Sequence, residues 1–200
     1  MILYMDYQSW RTGFLLKGLV TMQQLRYVTR IRKNMMENNR ISVLFVCMGN
    51  ICRSPIAEGV FAKTVQEAGA SAQILIDSAG THDYHVGDAP DLRAQRTALS
   101  YGCDISALRG RQVQDSDFER FDYILAMDSQ NLNNLIRRAN IRHHHKIRLL
   151  LSFSRRFPNL DVPDPYYGGQ QGFDQTLDMV TDAAQGLLKS ILERQDVQSV

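Results

Sequence analysis

The sequence predicts an α/β fold built on a mostly parallel sheet. Four short apolar runs rich in Ile, Val and Leu, "ISVLFV", "QILIDS", "DYILAM" and "KIRLLL", read as buried strands. Helix-period stretches separate them, and an amphipathic run, "FDQTLDMVTDAAQGLLKSILE", closes the pattern. Strand and helix in alternation bury their apolar faces as a parallel sheet covered by helices, with right-handed crossovers. At 200 residues the chain makes one domain by default. A chain of that length buries most of its apolar surface without disulfide staples.

The first element is "ISVLFV", residues 41 to 46, and a loop, "CMGNICRS", leaves its end. A helix over 55 to 68 follows, with Ser54 as its N-cap, Pro55 at its first position and Glu58 in its first turn. The second strand is residues 73 to 78. Gly, Pro and Asp then mark a loop over 79 to 90, before a helix over about 90 to 102. The third strand, 122 to 127, leads into a helix over 128 to 138, and the fourth is 146 to 151. A second loop spans 153 to 172. The closing helix sets Leu177, Val180, Ala184, Leu187, Leu188 and Ile191 on one face. In such folds ligands bind beyond the carboxyl ends of the strands, which is where the first loop begins.

Charge is unevenly placed. Residues 1–40 hold seven basic side chains against Asp6 and Glu37, a balance of +5 in a chain of +2 overall, so residues 41–200 carry −3. The folded part is thereby no basic nucleic-acid binder. Three readings fit the first forty residues: a basic amphipathic targeting segment, a helix lying on a membrane or on the domain, or an upstream start with Met22, Met35 or Met36 as the natural beginning. All place the domain at residues 41 to 196. No apolar run approaches the ~18 to 20 residues of a membrane span. Three cysteines, Cys47, Cys52 and Cys103, are too few and too odd in number for a disulfide framework and suit a reducing compartment.

The first loop carries chemistry. It ends on a helix N-terminus, where free amide N–H groups and the positive dipole end attract anions. Gly49 and Asn50 are residue types that tolerate left-handed backbone and bend successive amides inward. A thiol at such a place, ordinarily titrating near ~8.5, can be held as thiolate at neutral pH. Arg53 offers a planar fork that matches two phosphate oxygens. Cys47 in a phosphate-shaped cradle with that guanidinium is a device for covalent phosphoryl transfer. The leaving oxygen needs a proton, and "VPDPYYGG" supplies a carboxyl group, Asp164, stiffened between Pro163 and Pro165 and followed by Tyr166 and Tyr167. The same carboxylate then suits the activation of water.

Plainer readings stand beside these. A cysteine at a strand end is often only a small buried hydrophobe. Cys47 and Cys52 as C-x4-C without a second pair make poor zinc spacing. "HHH", residues 143 to 145, lies in a basic stretch and reads as a solvated surface rather than a metal site. Cys103 reads as packing.

The segments "VLFVCMGNICRSPIAEGVF", "DSAGTHDYHVGDAPDLRA", "FDYILAMDSQNL" and "VPDPYYGG" together resemble the low-molecular-weight protein tyrosine phosphatases over about residues 41 to 194. The resemblance implies a compact four-stranded parallel sheet flanked by helices, a cytoplasmic enzyme with no cofactor and no metal, and tyrosine-phosphorylated proteins as partners, with no nucleic acid and no obligate partner. By the same resemblance Cys47 is the nucleophile, Arg53 the phosphate-binding arginine and Asp164 the general acid and base. Asn50 shapes the loop, and Ser54 hydrogen-bonds the thiolate and helps it leave. Cys52 is similar to the cysteine that can trap an oxidised nucleophile as a disulfide. Met48, Gly49, Ile51, Tyr84, His85, Tyr166 and Tyr167 fall on the loop and on the walls of the cleft, while Asp128 falls where a supporting aspartate stands. The chain departs from the pattern at Leu108, where many members carry a loop-supporting histidine. Arginine phosphatases resemble the loop but have threonine in place of Ile51, and arsenate reductases of this fold need further relay cysteines. An idle anion-binding or redox-sensing module is the alternative outside enzymes, which the set Cys47, Arg53 and Asp164 disfavours.

Overall fold

The structure is a computed structural model in which residues 40–198 are described, so the readings of residues 1–39 lie outside the described residues. Its elements in chain order are β1 (Ile41–Cys47), α1 (Arg53–Glu67), β2 (Ile74–Gly80), α2 (Leu92–Ser100), α3 (Asp115–Arg120), β3 (Tyr123–Ala126), α4 (Ser129–Arg138), β4 (Ile147–Leu149) and α5 (Gly169–Gln198). Two 3-10 turns, Ile141–Lys146 and Leu150–Phe153, flank β4. The four strands form one sheet in the order β2-β1-β3-β4, every neighbouring pair parallel. A four-stranded parallel sheet flanked by helices is therefore the architecture, as the sequence predicts.

Strand alternation divides β1 between two cores. Val43, Phe45 and Cys47 face α1, α2 and α5, where they join Ile56, Phe61, Phe173 and Leu187. Leu44 and Val46 face the other way, onto Phe118 of α3 and Leu135 of α4. A strand covered on both faces needs an unbroken apolar run, which is what "ISVLFV" supplies. On α5, Val180, Ala184, Leu187, Leu188 and Ile191 are buried, and Leu177 packs against the same core from a less covered position.

Several local expectations are corrected. The run "KIRLLL" is a strand only over Ile147–Leu149, because Leu150 and Leu151 both enter the α1–α5 core. Consecutive strand residues point to opposite faces, so the chain tightens into a 3-10 turn to bury both. The same tightening corrects the histidine run. His143 is buried on the first 3-10 turn, with Nε2 3.1 Å from Glu119 Oε1, rather than solvated with its neighbours. The short helix α3 has no counterpart in the periodicity. Its start is set by a capping box in which Gln114 and Asp117 satisfy each other's ends.

The mouth of the first loop is also corrected. Helix α1 begins at Arg53 with Cys52 in the cap position and no side-chain cap, so Ser54 is not the N-cap and Glu58 lies beyond the first turn. Ser54 is withdrawn from capping because its hydroxyl faces the Cys47 sulfur at 3.0 Å. Pro55 still occupies the first turn, where its missing N–H costs no helical bond.

Candidate active site

The loop from Cys47 to Arg53 closes because its carbonyls are held from outside. Thr81 N–H donates to the Cys47 carbonyl at 2.9 Å and His82 N–H to the Met48 carbonyl at 3.0 Å. With the carbonyls turned outward, amides turn inward, and Asn50 N–H donates to Cys47 Sγ at 3.2 Å. Asn50 takes a left-handed φ of 56° and alone carries the backbone turn predicted for Gly49 and Asn50 together. At Gly49 a Cβ would stand 3.0 Å from the His85 ring, which would have to give way to it. Gly80, which the sequence does not single out, is tighter still. A Cβ there would lie 2.7 Å from the Met48 carbonyl oxygen and 3.2 Å from Asn50 N.

A polar chain runs beneath the sulfur. Asn50 Nδ2 donates to Ser54 Oγ at 2.9 Å and to Ser78 Oγ at 2.8 Å, and Arg111 N–H donates to Asn50 Oδ1 at 2.9 Å. Ser78 Oγ donates in turn to Glu58 Oε2 at 2.6 Å. Leu108 packs on the core and gives the loop no hydrogen bond, while Ser78 and the Arg111 backbone support Asn50. Asn50 and Ser54 are buried behind the sulfur rather than lining the cleft. Burial pushes the Glu58 carboxyl up to about 7, helped by the Asp77 charge, against the Ser78 hydrogen bond and Arg111.

Arg53 is 2 % exposed. Its Nη1 donates to Asp128 Oδ2 at 2.5 Å and to the Val162 carbonyl at 3.1 Å, and its Nη2 donates to Asp164 Oδ2 at 2.9 Å. Burial alone would lower the guanidinium, but Cys47, Asp164 and Asp128 together hold it above its ordinary value. Asp128 thus does more than the support assigned to it. One oxygen caps α4 through Asn131 N–H, and the other orients the arginine. A carboxylate placed just after a central strand was the sequence signal for that contact.

The cleft has a volume of about 360 Å³, lined by Cys47, Met48, Gly49, Ile51, Cys52, Arg53, Tyr84, His85, Asp164, Tyr166 and Tyr167. Asp164 lies at its edge, with Tyr166 N–H donating to its Oδ1 at 3.1 Å. Tyr166 and Tyr167 meet edge to face, and Tyr84 stacks on His82. His85 Nδ1 is 3.0 Å from Asp88 Oδ2. The two cysteines of the loop differ. Burial, then the nearby Cys47, Asp91 and Asp164, push the Cys52 thiol up to about 12, which keeps it protonated at neutral pH. Cys103 is a free buried thiol in the α1–α5 core, where packing is its role. Among the described residues no group of three His, Cys, Asp or Glu side chains is placed to hold a metal ion, and no helix is long and apolar enough to cross a membrane.

Comparison with known proteins agrees with this geometry. Residues 42–198 match the family profile described as low molecular weight phosphotyrosine protein phosphatase. The low molecular weight protein-tyrosine-phosphatase of Streptomyces coelicolor is 45 % identical over 157 residues, covering 76 % of this chain and 94 % of that one. The human low molecular weight phosphotyrosine protein phosphatase is 44 % identical over 142 residues, covering 70 % and 89 %. Among solved structures, a protein tyrosine phosphatase from Entamoeba histolytica aligns with a TM-score of 0.75 at 39 % identity, covering 78 % of this chain and 99 % of that one. The chain belongs to the low molecular weight phosphotyrosine protein phosphatases and is an enzyme of that class.

Proposed function

We propose that the chain hydrolyses phosphotyrosine in protein substrates through a phosphocysteine, with Cys47 as nucleophile, Arg53 as phosphate clamp and Asp164 as general acid and then base. The observation that carries this reading is one cleft lined by the Cys47 sulfur, the Arg53 fork and the Asp164 carboxyl, with apolar walls from Ile51, Tyr166 and Tyr167. The Cys47 sulfur attacks phosphorus and the ester P–O bond breaks as Asp164 protonates the leaving phenolic oxygen. Water then attacks the phosphocysteine and gives its proton to Asp164. The sulfur leaves toward the Ser54 hydroxyl, 3.0 Å away. Cys52 does not compete as nucleophile, since burial keeps it a thiol.

Arg53 is oriented for this step before substrate arrives. Asp128 and the Val162 carbonyl fix Nη1, leaving Nε and Nη2 as the fork for two phosphate oxygens once Nη2 gives up Asp164. Binding of the ester therefore releases the carboxyl group toward the leaving oxygen. Met48, Gly49, His85 and Tyr84 wall the ring side of the cleft, while Asn50 and Ser54 act from beneath. The domain occupies residues 41–196, and three free thiols suit a cytoplasmic setting. The test is hydrolysis of an aryl phosphate without added metal. Activity lost in Cys47→Ser but kept in Cys52→Ser supports the reading, and activity surviving in Cys47→Ser contradicts it.

A further inference from the structure

Asp164 stands on a loop with few anchors of its own, and besides Arg53 a second arginine from elsewhere reaches that loop. Arg93 sits in the first turn of α2, next to Asp91, the residue that caps the helix by accepting Arg93 N–H at 2.8 Å. Its Nε and Nη2 form a fork on the Asp91 carboxylate at 3.0 and 2.8 Å. Its remaining nitrogen, Nη1, donates to the Tyr166 carbonyl at 3.0 Å. The guanidinium lies 5.5 Å from the Tyr166 ring centre and 4.8 Å from that of Phe173 in α5.

These contacts join the two halves of the site. Asp91 N–H donates to the Ile51 carbonyl at 2.8 Å, so the Asp91–Arg93 pair is tied to the phosphate loop. At the far end, Tyr166 is the residue whose N–H holds Asp164 Oδ1. Arg93 thus grips the carbonyl of the same residue whose amide aims the carboxyl group. An ion pair that only capped α2 would need the Asp91 fork and no third contact. The planar guanidinium is what allows one side chain to serve both partners at once.

We propose that Arg93 is a positioning residue for proton transfer: it holds Tyr166, and through it the Asp164 carboxyl, in register with the phosphate loop. The proposal rests on Asp164 being the general acid. Arg93 has no hydrogen bond to Cys47, Asn50 or Arg53, so its effect is felt in the proton transfers that Asp164 performs, to the leaving oxygen and from water.

The test is kcat/KM, which reads the steps up to phosphoryl transfer and not the hydrolysis of the phosphocysteine, over a series of aryl phosphates of graded leaving-group basicity, for the wild type, Arg93→Ala, Arg93→Lys, Asp164→Ala and the Arg93→Ala/Asp164→Ala double variant. Melting temperature and inhibition by vanadate are read in parallel. Arg93→Ala is expected to lose about 10- to 100-fold on poor leaving groups, as misplaced catalytic groups do. It should lose less than about threefold on the most activated ester, with vanadate inhibition nearly unchanged. Arg93→Lys keeps charge near Asp91 but cannot span to the Tyr166 carbonyl, so it should show the same discrimination more weakly. This variant decides the matter if Arg93→Ala fails to fold. In the double variant the Arg93 loss should vanish, since no acid remains to be positioned. If Asp164→Ala discriminates between esters and the Arg93 variants do not, or if the two losses add, the proposal is overturned while the acid assignment stands. If Asp164→Ala itself loses equally on all esters, the acid assignment falls and the proposal with it.

Discussion

The two loops that make the cleft are built in opposite ways. The phosphate loop lies between the end of a central strand and the start of a buried helix, and Cys47, Asn50, Arg53 and Ser54 are each nearly inaccessible. Asn50 and the loop carbonyls have partners in β2, in the loop after it and in the segment before α3, and Arg53 is held by Asp128. The acid loop, from Val162 to Gly169, is largely exposed, and Tyr167 is 95 % exposed. It is fastened by Val162 N–H on the Met127 carbonyl and by the two arginines, Arg53 and Arg93. The difference fits the two tasks. A cradle for a transition state gains from donors that need no reorganisation, whereas a group that gives and then takes a proton, and must let product out, gains from a looser mount.

This contrast predicts that damage to the phosphate loop is felt by every substrate and damage to the acid loop only by difficult ones. The largest loss is expected for Arg53→Lys. Charge is kept but the fork is lost, and turnover should fall by about 10³ to 10⁵ on poor and activated esters alike, the scale of a transition-state arginine. Near-normal kinetics in steady-state assays would break the bidentate assignment. Asp164→Ala should lose about 10² to 10⁴ in kcat/KM on poor leaving groups and much less on activated ones, for which hydrolysis of the phosphocysteine then limits turnover.

Gly80→Ala touches no substrate, yet its Cβ would press the Met48 carbonyl that helps shape the cradle. A loss of about 10² in kcat/KM, uniform across leaving groups, is expected from such a shift. Unchanged kinetics would show that the loop yields at no cost.

The smallest effect concerns Glu58, and it is one of stability. Its carboxyl is raised from 4.5 to about 7 in the folded chain, so the folded state holds this proton more tightly than the unfolded one. Unfolding releases the proton between those values. The stability present below pH 4.5 is therefore lost as pH rises toward about 7, by about 3 kcal/mol over the window. Glu58→Gln should flatten that part of the pH–stability curve measured by denaturant unfolding, and parallel curves for the two proteins would contradict it.

Much of this was legible in the sequence because it is local. A buried parallel strand, a loop of tolerant residues and a helix with Pro55 in its first turn announce themselves over a dozen positions. Asp164 was legible for the same reason, being held by its two neighbouring prolines. What escaped depends on contacts across the chain. Gly80 matters through its distance to Met48, Ser78 through Asn50, and Arg93 through Tyr166, 73 positions away. Ser54 was misread as a cap because Ser before Pro usually is one, and only the folded loop shows the sulfur competing for its hydroxyl. His143 was misread because a run of like residues hides which of them a 3-10 turn faces inward.

The central claim is that phosphate passes through Cys47, and trapping the intermediate tests it most directly. In Asp164→Ala an activated aryl phosphate still transfers its phosphoryl group, but the base for hydrolysis is gone, so the intermediate accumulates. Intact-mass measurement after rapid quench, followed by peptide mapping, should find one phosphoryl group on the peptide containing Cys47 and none after Cys47→Ser is added. A phosphoryl group on another residue, or turnover with no trapped species in a variant that hydrolyses slowly, would contradict the account.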